Sequence, residues 1–137
     1  MIDLDLLTKE LKRDEGFRGC AYHCSADKLT IGYGHNIEDN PIPEKIANDL
    51  LQHDYMSVYG ECTRLTWFNH LDDVRKRAIV NMAFNIGVPR MLGFRKMIAA
   101  INEGDYHLAA KEMLDSKWAE QVGSRAARIA HLMDFEA

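Results

Sequence analysis

The stretch that decides the fold is Glu15-Gly16-Phe17, followed by Ala21-Tyr22-His23-Cys24 and then by Leu29-Thr30-Ile31-Gly32-Tyr33-Gly34-His35. It puts one carboxylate where a helix should end. Aromatic and β-branched residues broken by glycine come next, which predicts a short β-hairpin or three-stranded sheet over residues 17–35. Upstream, Leu4, Leu7 and Leu11 share one face of an amphipathic helix predicted over 3–14, which Gly16 stops. A carboxylate at a helix C-terminus meets the negative end of the macrodipole, and contact of Glu15 with Phe17 or Tyr22 would add desolvation. Both effects favour the protonated form, the state a general acid needs.

Downstream, Asn40-Pro41-Ile42-Pro43 is a turn, and Pro43 suits the first turn of a helix. Ile46, Leu50, Leu51, Tyr55 and Val58 carry that helix over 43–60. The second half is nearly all helical. Asp72 or Asp73 can accept the free amides at a helix start. Val74, Ala78, Ile79, Met82, Ala83 and Ile86 then predict a central, mostly buried helix that Gly87 closes. Shorter helices are expected at 94–103, 105–115 and 124–134, separated by Gly104 and Gly123. Met82, Met91, Met97, Met113 and Met133 read as core filler.

With 137 residues, 47% of them hydrophobic, the chain has one sizeable core rather than two. Its apolar runs are too short for a transmembrane span. The acidic start, Met1 to Leu7, lacks the basic and apolar regions of a signal peptide, so folding in the cytoplasm is expected. Cys20, Cys24 and Cys62 read as free thiols. No second ligand pair accompanies Cys20 and Cys24 at zinc-like spacing, so no metal and no cofactor is expected. Cys20 and Cys62 read as small apolar filler. The formal charge is −4; residues 1–68 hold 7 basic and 12 acidic residues, and the remainder 10 and 9. That is no nucleic-acid footprint.

The ordered motifs resemble the phage-type lysozymes, the T-even lysozyme-like endolysins. The likeness continues through Leu71-Asp72, Val74-Arg75, Ala78-Ile79, Asn81-Met82, Phe84, Gly87, Gly93-Phe94, Ser116-Lys117-Trp118, Arg125-Ala126 and Arg128, nearly the whole chain. The resemblance implies an α+β, predominantly α, lysozyme-like fold of two lobes in a single domain, 1–137. A small N-terminal β-hairpin lobe, about 13–60, would include the bridging helix. A C-terminal helical lobe, about 61–137, would take in the N-terminal helix. The groove between lobes would hold an extended substrate.

The family's catalytic triad is a Glu, an acidic residue nine positions on and a Thr six further, which gives Glu15, Cys24 and Thr30 here. The departure is Cys24, where the family has Asp. A thiolate could stabilise positive charge or attack the anomeric carbon. Alternatively, Cys24 only fills space and a water aligned by Thr30 does the work; Asp27, on the same hairpin, is a third candidate. The resemblance favours inversion by a water on the far face, whereas a covalent Cys24 intermediate would give retention. It also implies that Arg125 pairs with and positions Glu15, that His35 and Asp54 form a structural ion pair, and that Phe84, Asn85 and Gly34 belong to the substrate-binding set. Trp118 joins that set as a sugar-stacking ring, or else caps the core.

The implied activity is hydrolysis of the β-1,4 bond between N-acetylmuramic acid and N-acetylglucosamine in peptidoglycan, causing host cell lysis. A lytic transglycosylase and an inactive peptidoglycan-binding module are the alternatives. Without a signal peptide, the protein would act from the host bacterial cytoplasm and reach the wall through a partner holin. A monomer with no nucleic-acid partner and no stable membrane insertion is expected.

Overall fold

The computed structural model describes residues 1–136. Its contacts divide the chain into two compact units, Met1–Asp49 and Leu50 onward. The N-terminal helix falls in the first, with the hairpin, and the division lies inside the helix Glu44–Cys62.

The first unit opens with α1, Leu4–Glu15, capped by Asp3, whose carboxylate accepts the Leu6 N–H at 3.0 Å. Gly16, at φ +71°, ends the helix and returns its N–H to the Lys12 carbonyl. Glu15 is therefore the last helical residue. Three antiparallel strands follow in sequence order: β1 (Arg18–His23), β2 (Leu29–Gly32) and β3 (His35–Asn36). Tyr22 pairs with Thr30 and His23 with Leu29, while Thr30 and Ile31 pair with Asn36 and His35 on the other side. The β1–β2 register shifts between Arg18 and Tyr22, a bulge in the hairpin. Thr30 thus sits on the central strand, and it is buried at 2% exposure.

Helix α2, Glu44–Cys62, starts one residue after Pro43, whose carbonyl accepts the N–H groups of Ile46 and Ala47. The second unit continues with α3 (Thr66–Asn69), α4 (Asp73–Ile86), α5 (Val88–Met91), α6 (Arg95–Asn102), α7 (Tyr106–Leu114), α8 (Lys117–Val122) and α9 (Ser124–Met133). The α4 cap is Asp72, accepting from the Arg75 N–H at 2.9 Å. The core is built where α4 and α7 meet α9. Ala78 and Ala83 of α4, Ala109 and Ala110 of α7, and Ala126 and Ala130 of α9 are all buried, and these small side chains let the helices approach closely. Met82, Met91, Met97, Met113 and Met133 are fully buried, as the sequence predicts. Burying each such side chain contributes about 1.5–3 kcal/mol.

Helix α4 differs from expectation. Only Ala78, Ile79, Met82 and Ala83 are buried, and Arg77, Asn81, Phe84 and Asn85 face outward. Its apolar content therefore makes one stripe rather than an enclosed helix. No helix among the described residues is long and apolar enough to cross a membrane.

Candidate active site

The end of α1 is tied to the β2–β3 turn by one aromatic ring. Tyr33 packs on Phe17 with ring centroids 5.5 Å apart, and the Lys12 ammonium lies 5.4 Å from the same ring. The pairing sets Glu15 directly over Gly34. A β-carbon on Gly34 would lie 2.8 Å from the Glu15 carboxyl carbon and closer still to Oε2. Gly34 also holds φ +71°, a backbone conformation that costs other residues dearly. Its part in the site is thus to leave room for the acid. Glu15 is exposed; of the two rings expected to desolvate it, Phe17 is taken up by Tyr33, and Tyr22 lies under the Arg18 guanidinium at 4.4 Å.

Cys24 opens the β1–β2 turn. Its N–H donates to the Lys28 carbonyl at 2.9 Å, and its carbonyl accepts the Asp27 N–H at 2.8 Å. Asp27 takes the left-handed position at φ +57°, which Asp tolerates. The Asp27 side chain is 93% exposed and lies 3.4 Å from His23 Nδ1. The Cys24 thiol is half-buried. The backbone N–H groups of Lys28 and Ala26, together with the Thr30 hydroxyl, hold its pKa below the ordinary thiol range. The Thr30 hydroxyl donates to the Lys28 carbonyl at 2.8 Å. Thus Cys24 and Thr30 meet across the turn, as Glu15 and Gly34 meet at the helix end.

All three cysteines are free, but they are not alike. Cys62 is core filler, and burial, helped by Glu61, pushes its thiol up to about 11. Cys20 is exposed on β1, which corrects its reading as filler: it stands in a strand with only Tyr22 even half-buried.

In the second unit, Phe84 is 38% exposed and lines a groove of about 550 Å³ with Leu51, Tyr55, Tyr59, Asn81 and Arg125. The Arg125 guanidinium donates to the Asn81 side-chain oxygen at 2.9 and 3.1 Å. Trp118 is 1% exposed, packs edge-on against Phe94, and donates its indole N–H to Asn85 Oδ1 at 2.7 Å. It caps the core; its ring is not open to a sugar. His35 Nε2 lies 2.9 Å from the Asn40 carbonyl, and Asp54 lies 3.4 Å from His53 Nδ1.

Sequence reasoning missed Lys28, whose main chain joins Cys24 to Thr30, and Asn81, which receives Arg125. A lysine in a turn carries no sign that its backbone matters. Asn81 did fall within the motif stretch, and that was its only signal.

Over residues 12–132 the chain matches the family model described as phage lysozyme. It is 29% identical to probable T4-type lysozyme 1 of Dictyostelium discoideum, across 90% of this chain and 91% of that protein. It is 32% identical to an endolysin of Acyrthosiphon pisum secondary endosymbiont phage 1, across 80% of this chain and 75% of that one. The pre-baseplate central spike protein Gp5 of Enterobacteria phage T4 is 26% identical across 93% of this chain, which matches 27% of Gp5.

Proposed function

The chain belongs to the phage lysozyme family, a lysozyme-like, glycosidase-type cell-wall hydrolase with peptidoglycan as substrate, and on that premise we propose that it is an N-acetylmuramidase. It cleaves the β-1,4 bond between N-acetylmuramic acid and N-acetylglucosamine. The observation that carries this reading is the seat of Glu15 on Gly34, which puts a carboxyl group against the same three-stranded sheet whose other turn holds Cys24 and whose central strand holds Thr30.

In this mechanism Glu15 donates its proton to the glycosidic oxygen. The bond from that oxygen to the muramic C1 breaks, and the glucosamine leaves with a free 4-hydroxyl. The Cys24 thiolate stands in for the carboxylate of the family and stabilises the oxocarbenium-like centre. It then takes a proton from the water that attacks C1 from the far face, and Thr30 keeps the sulfur oriented. Exchange with solvent returns a proton to Glu15 and removes one from Cys24. Inversion gives an α-anomer at the new reducing end; a β-anomer would make Cys24 the nucleophile.

In the second unit, Trp118 occupies Asn85 Oδ1, so the NH2 of Asn85 and the ring of Phe84 are what these positions offer an N-acetyl sugar. Lysis of the host cell is the role we attach to the activity, supported by the relative named as an endolysin.

Mass spectrometry of products from purified peptidoglycan tests the reading. Reducing-end N-acetylmuramic acid should appear with wild type and vanish with Glu15→Gln. Anhydro-muramic products would establish a lytic transglycosylase instead, and no glycan cleavage by wild type would leave a binding protein.

A further inference from the structure

We propose that Lys28 is the positioning residue for Cys24 and Thr30: clasped by Glu38 and Asp39, its side chain pins the turn whose backbone holds the thiol and the hydroxyl. The proposal rests on the reading of Cys24 given above.

The main chain of Lys28 is the junction of the site. Its carbonyl accepts both the Cys24 N–H at 2.9 Å and the Thr30 hydroxyl at 2.8 Å, and its N–H is among the groups facing the Cys24 sulfur. Displacing this one peptide would move both side chains. Its own side chain fixes it in place. The ammonium ends 3.3 Å from Glu38 Oε2 and 3.4 Å from Asp39 Oδ2.

Those carboxylates are themselves anchored. Glu38 Oε1 lies 3.4 Å from the Leu29 N–H, and the Asn36 amide donates to Asp39 Oδ2 at 3.0 Å. The Asn36 side-chain oxygen also accepts the N–H groups of Glu38 and Asp39, each at 3.1 Å. The clasp therefore connects the turn after β1 to the turn after β3, across the strand that carries Thr30.

Exposed ion pairs contribute little to stability, so the value of this one lies in geometry. The titratable groups at the turn are His23, whose Nδ1 lies 3.4 Å from Asp27, and Asp27, Lys28, Glu38 and Asp39. Glu38, and next Asp39, raise the pKa of the Lys28 ammonium, so it keeps its charge throughout the range in which the thiol ionises.

The test is the pH profile of Cys24 alkylation by iodoacetamide, a neutral reagent, read on the Cys24 peptide by mass spectrometry so that Cys20 does not interfere. In Lys28→Met the profile should move upward by about half a unit or more, an approximately threefold slower alkylation near neutral pH. The kcat should fall by a similar factor with KM unchanged. Lys28→Arg keeps a cation between the two carboxylates and should restore both. Thermal melting checks the fold, and Lys28→Gln is the second variant if Met disturbs it. A Met or Gln profile coincident with wild type, or an Arg profile that follows Met, overturns the clasp. Wild-type activity in Cys24→Ala would overturn the catalytic reading of Cys24 instead, since the clasp is read on the native thiol.

Discussion

Glu15 rests on Gly34 because no side chain intervenes, so supplying one tests the contact. The β-carbon of Gly34→Ala would collide with the carboxyl carbon and strain a backbone at φ +71°. The expected result is a fall of about a hundredfold in kcat from a displaced acid, with a stability loss of about 1–2 kcal/mol in urea denaturation. Cys24 gives a pH test. The Lys28 and Ala26 amides, with the Thr30 hydroxyl, hold the thiol low, so activity should be present above its pKa and lost as pH falls through it. An aspartate in its place titrates near about 3.9. Cys24→Asp should therefore stay active with the acid limb of its kcat/KM profile moved to lower pH, while Cys24→Ala falls to background. Glu15, Cys24 and Thr30 were legible as residue types at set spacing. The burial of Trp118 was not, because its partner Asn85 lies 33 residues away and only the folded chain joins them.

Arg75 shows how one side chain can secure two helix ends. It begins α4 beside its cap, yet its guanidinium reaches the end of α9, where it donates to the Met133 carbonyl at 2.8 Å and to the Phe135 carbonyl. It lies 4.0 Å over the Tyr106 ring and pairs with the Asp72 carboxylate. Removing these bonds in Arg75→Met should cost about 2–3 kcal/mol, read as a lower urea midpoint at unchanged slope. Partial burial works the other way, but the Arg75 N–H and guanidinium hold the Asp72 pKa below the usual carboxylate range. The contribution of Asp72 is therefore complete above the ordinary value of about 3.9 and is lost as pH falls through the depressed one. The gap between wild type and Arg75→Met should narrow in acid accordingly. The longer helices were legible from their apolar period and their caps. The α3, α5 and α8 helices were not, because four to six residues span too few turns for a 3.6-residue period to register.

At the scale of the molecule, the mostly helical α+β architecture and the family were legible because the motif residues occur in order along nearly the whole chain. The division of the contacts at Asp49 and Leu50 was not, because the helical pattern runs through it without a break in composition. The methionines of the helical unit have a use beyond packing. Of the seven in the chain, five are fully buried, and α4, α5, α6, α7 and α9 carry one each. Methyl labelling of methionine alone would accordingly give NMR one native reporter inside every one of those helices. Loss of a single resonance during unfolding would identify which helix had left the core, with no probe engineered into the protein.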